Sequence, residues 1–191
     1  MWGVLSTASA EPEILRHWTP VLAASLDGLV ATGPLVPGLG GCRWETPASA
    51  VRTPLQSLLT GLRGVPDDVD DVVFLEGAAL ETLVPSDVTE MLGWLTADVA
   101  AVVRGAPVTD ALKRVDGDRL LGVVDRVGLL TIQTPHVLRR RALDEALLVL
   151  PDGGPQDPAA LLIAAGHAVR MFHATPSAVR SPQTAVAPAP R

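Results

Sequence analysis

The chain is poor in several residues that common protein classes depend on. Cys42 is the only cysteine among 191 residues, so the sequence allows no internal disulfide and no cysteine-held zinc site. Lys113 is the only lysine; every other strong base is arginine, and 21 acidic residues outweigh 15 basic ones to give a net charge of −6. A broad basic face for nucleic acid is therefore not expected. His17, His136, His167 and His173 show no ligand spacing such as His-x-x-x-His and read as structural. No apolar run is long enough to span a membrane; the nearest, "VLAASLDGLVATG", is short and carries Asp27. The opening "MWGVLSTASAEPE" has no basic segment before an apolar core, so no secretory signal is expected there. These absences together lead to the expectation of a cytoplasmic protein with no nucleic-acid and no membrane partner.

What is present is a foldable α/β pattern. Hydrophobic residues make up 48% of the chain, and its length suits one domain with a real core. "VDDVVFLEG" (69–77) and "ADVAAVVRG" (97–105) predict buried strands with Val-rich centres. "PSDVTEMLGWL" between them predicts a helix with Val88, Leu92 and Leu95 on one face, and "TPLQSLLTGL" a helix opening at Pro54. "PHVLRRRALDEALLVL" (135–150) predicts a helix from Pro135, with Leu138, Ala142, Leu143, Ala146 and Leu147 on one side and Thr134 as its N-cap. On that helix Arg139, Arg140 and Arg141 would pair with Asp144 and Glu145 as a solvated face. "DPAALLIAAG" predicts a further helix and "HAVRMFHA" a strand. The alternation argues for a mostly parallel sheet, whose ligands would bind beyond the carboxyl ends of the strands. Residues 32–48, rich in Gly and Pro, read as a loop, and Trp2, Trp18, Trp44 and Trp94 as core or rim aromatics. The expected organisation is one domain over 1–180 and a Pro/Ala-rich disordered tail over 181–191.

"ALKRVDGDRLLGVVDR" predicts two strands around a turn at Asp116-Gly117, forming an arm over about 108–127. Spacing alone would make it an ordinary surface hairpin. Its surroundings carry more. Pro107, Asp110, Lys113, Asp125, Arg126, Gln133, Thr134 and Pro135 stand in the order and spacing of a Pro-x-x-Asp-Thr-x-Lys, Asp/Glu-Arg, Gln-Thr-Pro series. In this the chain resembles the methylerythritol phosphate cytidylyltransferases of isoprenoid precursor synthesis, well over about residues 98–150 and thinly elsewhere. The resemblance implies a Rossmann-like nucleotidyltransferase sandwich with a mostly parallel sheet and a protruding β-hairpin arm. It implies a homodimer in which the arm clasps its partner and completes the partner's site. It also implies a reaction in which a sugar-alcohol phosphate attacks the α-phosphate of CTP and pyrophosphate leaves, with Mg²⁺ as cofactor if the protein is active.

Carried over position by position, the resemblance makes Arg126 and Arg180 the candidate catalytic residues. Asp110, Thr134 and Glu76 become candidates for binding substrate. Each has a plainer reading: Arg126 as a hairpin ion pair with Asp125, Thr134 as a helix cap, Glu76 as a solvated carboxylate at a strand end. The departures are graded. Ala111 stands where the family has Thr, and Leu75, Glu76, Gly77, Ala78, Ala79 and Leu80 where it has His-Asp-Ala-Ala-Arg-Pro. The family's late Lys is Arg180. Its Gly-rich, cationic first loop is absent: residues 1–25 hold Arg16 as their only strong base, with Glu11 and Glu13 nearby. The expectation is thus a diverged member with weak or no transferase activity, keeping sugar-phosphate binding or serving through a partner. An active enzyme transferring CMP from CTP to a sugar-alcohol phosphate is the alternative, and a purely structural or regulatory dimer a third.

Overall fold

The computed structural model describes residues 1–8, 10–47, 53–150 and 154–173. Arg180 and the tail at 181–191 lie outside the described residues. The elements run β1 (Trp2–Ser6), α1 (Pro12–Ser25), β2 (Gly28–Thr32), β3 (Arg43–Glu45), α2 (Pro54–Leu62), β4 (Asp71–Glu76), a 3-10 turn (Gly77–Thr82), α3 (Pro85–Trp94), β5 (Ala101–Pro107), β6 (Lys113–Asp116), β7 (Arg119–Val123), β8 (Leu130–Arg139), α4 (Arg140–Val149), α5 (Pro158–Ala164) and β9 (Val169–His173).

Seven strands form one sheet in the order β3-β2-β1-β4-β8-β5-β9. All neighbours are parallel except around β8, which runs antiparallel to both β4 and β5. Alternation along each strand divides the apolar residues between two cores. Val4, Val72, Phe74, Val103 and Leu138 face one layer with Leu58, Leu62, Leu143 and Leu161 of α2, α4 and α5. Leu5, Val73, Leu75, Val102 and Val137 face the other, with Leu15, Leu22 and Met91 of α1 and α3. The Val-rich runs are unbroken because both faces of these strands are covered. The four tryptophans border the two cores, partly buried.

The α/β reading and the strands at 71–76 and 101–107 agree with the sequence, as do helices α2, α3 and α5. Three expectations change. The helix expected from Pro135 begins only at Arg140; Pro135–Leu138 belongs to β8, a central strand. Thr134 is therefore not a helix cap. Helix and strand fit this apolar run equally well on pattern, and the pairing of Val137 with Val73 and Val102 decides for strand. The Gly/Pro segment at 32–48 contains the edge strand β3. The arginine face divides: Arg141 pairs with Glu145 at 2.8 Å as expected, whereas Arg139 and Arg140 tie down loops. Arg139 donates to the carbonyls of Leu95 (2.9 Å) and Val99 (3.1 Å), and Arg140 to that of Pro66 (2.7 Å).

The arm is present as β6 and β7, which pair only with each other and are exposed along their whole length. Asp116 pairs with Arg119, so the turn sits one residue later than expected, at Gly117-Asp118, with Gly117 supplying a positive φ of 56°.

Helix α2 approaches β1 so closely that a Cβ on Gly61 would lie 2.2 Å from Val4 Cγ1. Gly61→Ala gains helix propensity of about 1 kcal/mol, yet it forces apart two well-packed elements at a cost of about 1–3 kcal/mol. Urea unfolding should show a net loss of stability.

Candidate functional site

The carboxyl ends of β1 and β4 finish level, with Ser6 opposite Glu76. Beyond them opens a cavity of about 500 Å³, where ligands of parallel sheets are expected. Ser6 and Ala8 form one side, Thr53, Pro54 and Ser57 of the first turn of α2 another. Glu76 with Ala78, Ala79 and Thr82 of the 3-10 turn, and Ile132, Gln133 and Thr134 of β8, complete it. Ser6 and Ser57 join their hydroxyls at 3.1 Å. Thr53 caps α2 by accepting from Gln56 N at 3.2 Å, and Pro54 follows as its first residue, so the positive end of the helix dipole faces the cavity.

Thr134 owes its position to a bulge. Opposite β5 the register passes from Val103–His136 to Arg104–Gln133, leaving Thr134 and Pro135 unpaired, with a cis bond between them. The β4–β8 ladder stops at Phe74–His136. Two residues further, Glu76 N donates to Thr134 Oγ1 at 3.0 Å, the side chain taking the place of a ladder partner. Thr134 is 1% exposed, so its hydroxyl is fixed at the cavity wall.

Two titratable groups are perturbed. Burial, and then the Asp157 carboxylate that caps α5, raise the Glu76 carboxyl above the ordinary glutamate range. His136, 2% exposed, is pushed down to about 4 by burial, the Asp157 charge and a backbone hydrogen bond with Gln133 offsetting part of the shift. It is a neutral core residue against the Phe74 ring, 6.1 Å between centroids.

The candidate residues fall into two groups. Glu76 and Thr134 meet at the cavity; Glu76 is half-buried there, not a solvated strand end. Arg126 and Asp110 are exposed at the base of the arm and do not line this cavity. Arg126 hydrogen-bonds the Thr109 carbonyl, and Asp125 accepts from Val127 N at 3.0 Å; the expected Arg126–Asp125 pair does not form. Glu11 and Glu13 are exposed and line no part of the cavity. Glu76 is the sole carboxylate of the lining, and among the described residues no three acids, histidines or cysteines are placed to hold a metal ion. They do not fit a Mg²⁺ held by the protein alone.

The sequence model described as 2-C-methyl-D-erythritol 4-phosphate cytidylyltransferase, IspD, matches residues 51–182. The chain belongs to this family. Over 118 residues it is 38% identical to the bifunctional enzyme IspD/IspF of Clavibacter michiganensis, a match covering 61% of this chain and 28% of that one. Over 112 residues it is 34% identical to the 2-C-methyl-D-erythritol 4-phosphate cytidylyltransferase of Corynebacterium efficiens, covering 56% and 44%. The matches thus span less than half the length of these relatives. The solved cytidylyltransferase of Thermus thermophilus shares the fold at a TM-score of 0.68 and 19% identity, over 90% of this chain and 88% of that one. No helix of the IspD-like domain is long and apolar enough to cross a membrane among the described residues.

Sequence reasoning missed Arg104, Ser6, Ser57 and Asp157. Arg104 had a visible signal, being the only charge inside the apolar run "AAVVRGA".

The depressed His136 pKa carries a pH prediction. Between about pH 6.5 and 4 the unfolded chain binds the proton and the folded chain does not. Stability is then full above pH 6.5 and falls as pH drops towards 4, by about 3 kcal/mol for a shift of this size. His136→Leu should flatten that part of the stability–pH curve in urea titrations.

Proposed function

We propose that this chain is a diverged IspD-family protein that keeps a sugar-phosphate cavity and has weak or no cytidylyl transferase activity. The observation that carries this reading is the β1–α1 connection. Its sequence from Thr7 to Glu11, "TASAE", has no glycine, lysine or arginine. A triphosphate is held by backbone N–H groups and cations, and each missing charge-assisted contact forfeits about 1.5–3 kcal/mol. The family match begins only at residue 51, which also favours divergence of the segment that would hold the nucleotide.

The acceptor half has more to recommend it. Thr134 is fixed at the cavity by its bond to Glu76 N. Arg126 and Asp110, on the arm, belong in this reading to the cavity of a second subunit, and Arg180 keeps the cation of the family's late Lys. Val115, Leu120, Leu121 and Val123 supply the arm's contact surface; Leu120 is 68% and Val123 74% exposed, more apolar area than an isolated arm ordinarily shows to water. The protein then acts as a homodimer, through phosphate binding or a regulatory partner. The second reading is an active enzyme that transfers CMP from CTP to a sugar-alcohol phosphate, with Mg²⁺ brought in on the nucleotide. The family match over residues 51–182 favours it.

Light scattering at micromolar concentration should give a dimer mass. A coupled pyrophosphate-release assay with CTP, Mg²⁺ and methylerythritol phosphate should stay near background. Robust turnover that disappears in Arg126→Ala would establish the second reading instead.

A further inference from the structure

Arg104 is 5% exposed, the only arginine buried among the described residues. None of the ion pairs formed by the described residues includes it. Its Nη1 donates to Thr82 Oγ1 at 3.1 Å, and its Nε has no partner. The Thr82 hydroxyl donates in turn to the Ala79 carbonyl at 3.2 Å, so its oxygen is held as an acceptor towards the guanidinium. Thr82 and Ala79 both line the cavity beyond β1 and β4, and so does Gln133, which stands opposite Arg104 in the sheet.

A guanidinium withdrawn from water without a counter-charge is costly, and its cost falls when an anion is brought to it. Arg104 lies behind the cavity wall, and among the described residues the lining includes no lysine, arginine or histidine. It does offer neutral groups suited to an oxyanion, namely the Ser6 and Ser57 hydroxyls, beside the positive end of the α2 dipole. We infer that Arg104 is the counter-ion of an oxyanion site in this cavity, and that the occupant is a phosphoryl group lying along the Thr82–Gln133 wall. Phosphate suits the place better than a carboxylate because its several oxygens can meet the hydroxyls and the field of the helix end while one faces the guanidinium. The inference rests on the cavity being the acceptor site proposed above, and it adds a binding residue outside the motif positions.

Calorimetric titration of the full chain with inorganic phosphate alone tests it without any need for CTP or turnover. Phosphate should bind the unaltered protein, more weakly as ionic strength rises. Arg104→Gln should lower the affinity at least about tenfold, while Arg104→Lys, which keeps the charge, should lose less. Equal affinity in a folded Arg104→Gln protein, or no phosphate binding by the unaltered chain, overturns the inference. If circular dichroism shows that Arg104→Gln does not fold, Thr82→Val is read in its place: weaker phosphate binding supports the assignment and unchanged binding overturns it. Two further titrations identify the source of the phosphoryl group. Arg104-dependent binding of methylerythritol phosphate supports the acceptor site; dependence with CTP only overturns it and assigns the cavity to the nucleotide. Background transfer together with Arg104-dependent phosphate binding leaves this inference standing whichever reading of activity holds.

Discussion

The carboxyl end of the sheet depends on one constraint, the insertion of β8 antiparallel between β4 and β5. In a wholly parallel sheet every strand would enter from the far edge. Because β8 runs the other way, it passes the cavity before entering the core, and Ile132, Gln133 and Thr134 reach the wall beside the ends of β1 and β4. The bulge at Thr134-Pro135 then turns one hydroxyl onto Glu76 N, where the regular ladder would have had to continue. The arm follows from the same insertion, since the chain must leave the sheet after β5 and return as β8.

Charge around the cavity is arranged unevenly. Its lining has one carboxylate, Glu76, and burial together with Asp157 already disfavours the ionised form. The positive charge lies behind the lining, at Arg104, bonded through Thr82. Positive charge on the arm, at Arg126, does not line this cavity in the single chain. That distribution underlies the proposal that a phosphorylated small molecule enters the cavity and that a second subunit completes it. The connection from Thr7 to Glu11 has neither glycine nor base.

Much of the architecture was legible locally. Apolar runs buried on both faces, such as "VVFL" and "AVV", announce central strands, and prolines at 54, 85 and 158 mark helix starts. The arm was legible because Asp-Gly punctuation between mixed strands needs no distant partner, although the turn settled one residue later once Asp116 paired with Arg119. Helix α1 was harder to see, since Pro20 lies inside it. Thr134 and Glu76 were found through a motif, but the bond between them spans 58 residues and no periodicity reveals it.

The sequence by itself determined the alternation of strands and helices, the hairpin and the family to which its later two thirds belong, because these rest on neighbouring residues and fixed spacings. Only the tertiary structure decided that Pro135–Leu138 is strand, that Arg139 and Arg140 secure loops, and that Arg104 is buried beside the cavity. Each of these depends on which distant segment covers the residue. Apolar pattern is the same for a buried helix turn and a buried strand, and a charge in a strand declares its role only when the surrounding elements have excluded the water that would otherwise screen it.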